Sequence, residues 1–178
     1  MQKKTMLELH RIDAEEFRHT KKIGLSVILD DVRSLNNIGS IFRTSDAFRV
    51  QHIYLCGITA TPPHPDIHKT ALGAEQSVEW SYEKDCKELV GRLREQGVKV
   101  CAVEQVHDSI SLPEFKCEPT EQLAIILGNE VKGVSQEVVD LADCCIEIPQ
   151  EGTKHSLNVS ISAGIVIWDL YKQLHNDI

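Results

Sequence analysis

The feature that most constrains this chain is the regular alternation of short, nearly uninterrupted apolar runs with segments of helical period. Residues 25–29 (LSVIL), 53–56 (IYLC), 98–103 (VKVCAV), 123–127 (LAIIL) and 145–148 (CIEI) each read as a strand, and 77–80 (SVEW) offers a short sixth. Strands without polar alternation are buried on both faces, which calls for helices on both sides of a mostly parallel sheet. The intervening segments carry helix signals. Asp13 with Glu16 forms a capping-box pattern, with Gly24 closing that helix after Lys21 and Lys22. Residues 83–96 form a charged amphipathic helix ended by Gly97. Ser135 is predicted to cap a helix to about Ala142, and Ser156 a final helix to about Leu174. The chain therefore reads as one α/β domain over residues 1–178, with a short helical N-terminal extension over 1–24.

Composition narrows the function classes. A 178-residue chain buries about 70% of its unfolded surface and needs no disulfide or metal staple. Apolar runs such as Leu123–Leu127 are far too short to span a membrane. The first ten residues lack the apolar core of a signal peptide, so a cytoplasmic location is expected. Net charge is −8, whereas general nucleic-acid binders are usually basic. The charge is unevenly spread: residues 1–22 carry six basic and four acidic side chains, and residues 104–143 two basic and nine acidic. A polyanion would have to avoid the second stretch. Six cysteines form no C-x-x-C pair and are expected to be reduced, structural thiols. His64 and His68 flank Pro65 without an obvious third ligand, so no metal is expected.

In open α/β sheets ligands gather beyond the carboxyl ends of the strands. After the first strand, Asn36 or Asn37 can cap a helix, Gly39 permits close approach of another backbone, and Arg43 lies further along the same helix. After the fourth, Gly128 and Gly133 enclose Glu130. The phosphate-binding pattern fails there, because Val134 and Ser135 stand where Lys and Ser or Thr are needed, and no G-x-G-x-x-G occurs. After the fifth, Pro149 stops the strand, Gly152 frees the turn, and Ser156 can cap a helix with Asn158 inside its first turn. Such a helix start suits an anionic group. The loop over 104–108 has little signature. Spacing alone leaves purely structural readings of all these residues open.

The ordered set is more specific than any one loop. Residues 37–44 (NIGSIFRT) followed by Asp46, Ala47 and Phe48 form one motif. Residues 126–133 (ILGNEVKG) form a second, and Ile148, Pro149, Gly152 and 156–160 (SLNVS) a third, with 69–74 (KTALGA) between the first two. Over about residues 25–174 this set resembles the SpoU (TrmH-like) RNA 2′-O-ribose methyltransferases. The resemblance implies a SPOUT fold with a deep C-terminal trefoil knot, an exception to the rule that chains are unknotted. It implies S-adenosylmethionine as cofactor and a homodimer whose first motif reaches across the interface. Carried over residue by residue, it implies a catalytic cluster of Asn37, Arg43, Glu130, Ser156 and Asn158. Cofactor contacts would come from Val103, Glu104, Leu127, Gly128, Asn129, Gly133, Ile148, Ser156 and Leu157, with no metal. The implied partner is RNA, tRNA before ribosomal RNA, because only about 24 residues precede the first strand and no basic tail follows the last helix. RNA would rest on Lys3, Lys4, Arg11, Arg18, Lys21, Lys22, Arg33, Arg43, Arg49, Lys132 and Lys154. The competing readings are a catalytically inactive knotted protein that binds or assembles RNA, and a nucleotide-binding enzyme such as a small dehydrogenase, which the missing glycine fingerprint disfavours.

Overall fold

The computed structural model describes residues 1–5, 8 and 12–175; Arg11 lies outside them. Seven strands form one sheet: β1 (Leu25–Asp30), β2 (His52–Cys56), β3 (Trp80–Glu83), β4 (Lys99–Val103), β5 (Ile110–Ser111), β6 (Leu123–Leu127) and β7 (Cys144–Glu147). They run in the order β3-β2-β1-β6-β4-β7-β5. Every pairing is parallel, with Leu25 opposite Leu123 and Lys99 also opposite Leu123 on the other side of β6. The central strand β6 is buried throughout, which is why its sequence has no polar alternation.

Pleating divides the apolar side chains between two layers. On one face Leu123, Ile125 and Leu127 join Leu25, Val27 and Leu29. They meet α1 (Ala14–His19), α2 (Leu35–Ala47), α3 (Pro65–Ala71), α4 (Ala74–Ser77) and α7 (Val159–Leu174). On the other face Ala124 and Ile126 meet α5 (Cys86–Glu95) and α6 (Gln136–Val139). The extension α1 is tied to the domain by buried Phe17 and by Arg18, whose guanidinium donates to the Gln76 carbonyl at 2.8 Å.

Several local expectations shift. Asp13 does cap α1, accepting from Glu16 N–H, but the helix ends at Thr20 rather than running to Gly24. The short strand expected at 77–80 lies at Trp80–Glu83, because Ser77 closes α4. Glu83 therefore belongs to β3, and α5 starts only after Asp85, whose carboxylate accepts from Lys87 and Glu88 N–H. The two-residue β5 had no sequence signal. The cap of α2 is Ser34, not Asn36 or Asn37, and the cap of α7 is Asn158, not Ser156. In both cases the cap is another small polar residue two or three positions from the one expected.

Candidate functional site

The carboxyl ends of β1, β6 and β7 bring three loops together through one chain of hydrogen bonds. Ser34 caps α2 by accepting from Asn37 N–H at 3.3 Å, which sets Asn37 in the first turn. From there its amide nitrogen donates to Glu130 Oε1 at 3.0 Å. The same carboxylate accepts from Ser34 N–H at 2.9 Å and Arg33 N–H at 3.0 Å. Asn158 Nδ2 donates to Asn37 Oδ1 at 3.1 Å, while its own Oδ1 accepts from Ser160 N–H at 2.9 Å. The ends of this chain fix its polarity. A carboxylate can only accept and a helix N-terminus can only donate, so each amide has one orientation that satisfies both neighbours. Partial burial pushes the Glu130 carboxyl up, but the Arg33, Ser34 and Asn37 hydrogen bonds outweigh it and hold it below the usual carboxylate range.

The loop after β6 is a tight turn. Asn129 and Gly133 exchange backbone hydrogen bonds at 3.0 and 2.9 Å, and Gly133 has φ +69°. A Cβ on Gly128 would lie 2.1 Å from the Gly133 carbonyl carbon, so only glycine fits that position. The Asn129 side chain donates to the Asp31 carbonyl at 2.8 Å and accepts from Val131 and Lys132 N–H, fastening the turn to the end of β1.

Between these loops and the tips of β4 and β7 lies a cavity of about 570 Å³. All nine residues singled out above for the cofactor line it, from Val103 and Glu104 through Leu127, Gly128, Asn129 and Gly133 to Ile148, Ser156 and Leu157. Of the five singled out for catalysis, Glu130, Ser156 and Asn158 line it too, and Asn37 stands one hydrogen bond behind. Arg43 does not. It is exposed on α2 outside the lining, and its guanidinium makes no hydrogen bond or ion pair among the described residues. The expected five-residue cluster is thus three residues in contact, a fourth on the same wall, and one apart. Sequence reading sets His155 aside as a solvated loop histidine and passes over Gln105, yet both line the cavity; for Gln105, a polar pair directly after a buried strand was the available signal. The volume falls within the range of about 300–1,000 Å³ usual for small-molecule sites. The lining joins apolar Leu127, Ile146 and Ile148 to glycine-loop backbone and the carboxylates of Glu104, Glu130 and Glu147. Such walls fit a flat heterocycle bound through main-chain groups together with a cationic centre.

An all-parallel sheet with this cavity beyond its carboxyl ends defines an α/β protein of the ligand-binding class. The chain belongs to the SpoU rRNA Methylase family, whose model matches residues 24–168. It is 31% identical over 166 residues to the tRNA (guanosine(18)-2′-O)-methyltransferase of Thermus thermophilus, covering 93% of this chain and 84% of that protein. It superposes on the TrmH/SpoU tRNA modifying enzyme of A. aeolicus with a TM-score of 0.79 at 26% identity, covering 90% and 81% of the two chains. The AdoMet-bound rRNA methyltransferase of Sinorhizobium meliloti gives a TM-score of 0.78 at 26% identity, covering 89% of this chain but only 60% of that one.

Proposed function

We propose that this protein transfers a methyl group from S-adenosylmethionine to a ribose 2′-hydroxyl of RNA, with tRNA before ribosomal RNA as substrate. The observation that carries the reading is the Asn158–Asn37–Glu130 chain, which joins all three family motifs at the rim of one cavity. The tRNA preference is supported by similarity: the chain is 31% identical over 166 residues to the Thermus tRNA enzyme, against 29% over 154 residues to the ribosomal RNA enzyme RlmB of Nitrosomonas europaea. Leu127, Gly128, Ile148 and Leu157 would hold the cofactor, largely through main-chain groups. When bound, the cofactor supplies an electrophilic methyl on a sulfonium.

The protein's own task is then chiefly positioning. Glu130 is saturated by three donors and held low in pKa, so it is a poor base near neutral pH and serves to fix the start of α2. The planar Arg43 guanidinium is suited to clamp an RNA phosphate and stabilise a developing alkoxide, the proton leaving through that phosphate or water. Because Arg43 does not reach the cavity of its own chain, we infer that it serves the cavity of a second copy. The helix α7 supports such a homodimer: Ile161, Ile165 and Trp168 line one stripe yet are 55%, 37% and 46% exposed. Thr44, the neighbour of Arg43, lines the same apolar groove.

We further infer the trefoil knot. The connection from β4 to β6 crosses the end of β7 to form β5 and returns through Leu112 and Phe115 in the core layer that holds α7. We infer that the chain leaving β7 reaches α7 through that loop. Gln173 of α7 then fastens it, donating to the Phe115 carbonyl at 3.2 Å and accepting from Cys117 N–H at 3.1 Å.

The test is transfer of tritium from labelled S-adenosylmethionine into unmodified tRNA and ribosomal RNA transcripts, with Arg43→Ala as control. Label recovered as a 2′-O-methyl nucleoside from tRNA, and lost in the variant, is the expected result. Cofactor binding without transfer to either RNA would instead favour an inactive RNA-binding protein.

A further inference from the structure

The carboxyl tip of β4 carries two adjacent side chains that reach opposite walls of the cavity. Glu104 turns to the glycine loop: one carboxylate oxygen accepts from Val134 N–H at 3.0 Å, the other from Gln105 N–H at 2.9 Å. Its backbone N–H donates to the Ile146 carbonyl at 3.1 Å, so the arm that carries the carboxylate is fixed on β7. The contact with the loop is close. A Cβ on Gly133 would lie 2.1 Å from Glu104 Oε2. Gln105 turns the other way, and its Nε2 donates to the His155 carbonyl at 3.1 Å.

The second contact stands out against its surroundings. Residues 149–158 are exposed from end to end. Among the described residues, the Gln105–His155 bond is the single hydrogen bond made by the segment 149–157. That segment nevertheless supplies Gln150, His155, Ser156 and Leu157 to the cavity wall. A wall with so few ties is placed by whatever ties it has.

We propose that Glu104 and Gln105 act as a bracket: two positioning residues that hold the glycine loop and the exposed third loop at a fixed separation and thereby set the affinity of the cavity for its adenosyl ligand. This rests on the function proposed above. Neither side chain takes part in methyl transfer; each acts through the loop it holds.

Calorimetric titration with S-adenosylhomocysteine tests the bracket, using wild type, Gln105→Ala, Gln105→Glu and Glu104→Gln. Gln105→Ala deletes one neutral hydrogen bond and is expected to weaken binding roughly fivefold. Gln105→Glu keeps the shape but turns a carboxylate oxygen on the His155 carbonyl, so it is expected to weaken binding by about tenfold or more. Glu104→Gln leaves one of two N–H groups facing a donor, again about tenfold. In turnover assays the loss should fall on the KM for S-adenosylmethionine, with kcat reduced by no more than about threefold. Unfolding midpoints of the Gln105 variants should stay near wild type, because the side chain is exposed. Wild-type affinity in both Gln105 variants, or Gln105→Glu binding more tightly than Gln105→Ala, would overturn the bracket while leaving the proposed function intact. A wild-type protein that does not bind S-adenosylhomocysteine would overturn the adenosyl reading of the cavity itself.

Discussion

A carboxylate that accepts three hydrogen bonds is stabilised in its charged form, and for Glu130 this links the site to pH. Its carboxyl is held below the usual range, so in the folded state it ionises more readily than in the unfolded chain. Such a group contributes stability above its unfolded pKa and loses it as pH falls through the folded value. Glu130→Gln should therefore cost about 1 kcal/mol at pH 7, a modest figure because the side chain is exposed and screened. The difference from wild type should begin to shrink as pH falls through the unfolded value of about 4.3 and go on shrinking as pH passes the lower native one. Urea unfolding of both proteins at pH 7 and pH 3.5 measures this; a penalty that grew on acidification would contradict the assignment. At this scale little was legible from spacing. Asn37 and Asn158 lie far apart in sequence, and each resembles an ordinary helix cap. Their mutual bond at 3.1 Å and the bond from Asn37 to Glu130 at 3.0 Å give Asn37 a different task, and the cap of α2 passes to Ser34.

Elements were easier to read than their ends. The strand over Leu123–Leu127 matches the sequence expectation residue for residue because both faces are buried, and burial on both faces leaves a continuous apolar run. At the sheet margin that signal fails. The edge strand β3 carries Ser81, half-exposed Tyr82 and Glu83, and β5 is only Ile110–Ser111. Pairing there is decided by neighbours: Ser81 lies opposite Tyr54, and Ile110 opposite Ile146. That another backbone comes close to α2 was legible at Gly39, but not that it belongs to α3. The missing Cβ of Gly39 would fall 2.2 Å from both the Ile67 carbonyl and Thr70 Oγ1, so the two helices meet where no side chain can stand. Gly39→Ala should destabilise the protein by about 2–3 kcal/mol through overpacking, despite the better helix propensity of alanine. The denaturant midpoint should fall with little change in its slope. A variant as stable as wild type would mean that α3 can shift away freely.

At the scale of the whole molecule, Arg43 and the cavity stand apart within one chain, and this predicts how subunits must cooperate. If α7 packs on its twin through Ile161, Ile165 and Trp168, then Ile165→Asp should shift the protein from dimer to monomer in sedimentation velocity. A monomer would keep its cofactor cavity but lose methyl transfer, since no second copy brings Arg43. The decisive form of the experiment mixes two inactive variants. One carries Arg43→Ala with an intact cavity; the other carries Asn158→Ala with an intact Arg43. If the arginine works across the interface, each mixed dimer contains one complete site, formed by the cavity of the first chain and the arginine of the second. Random reassortment makes half of the dimers mixed, with one working site of two, so about a quarter of wild-type activity should return. If instead the arginine serves its own chain, every site in the mixture lacks either Arg43 or Asn158, and no activity returns.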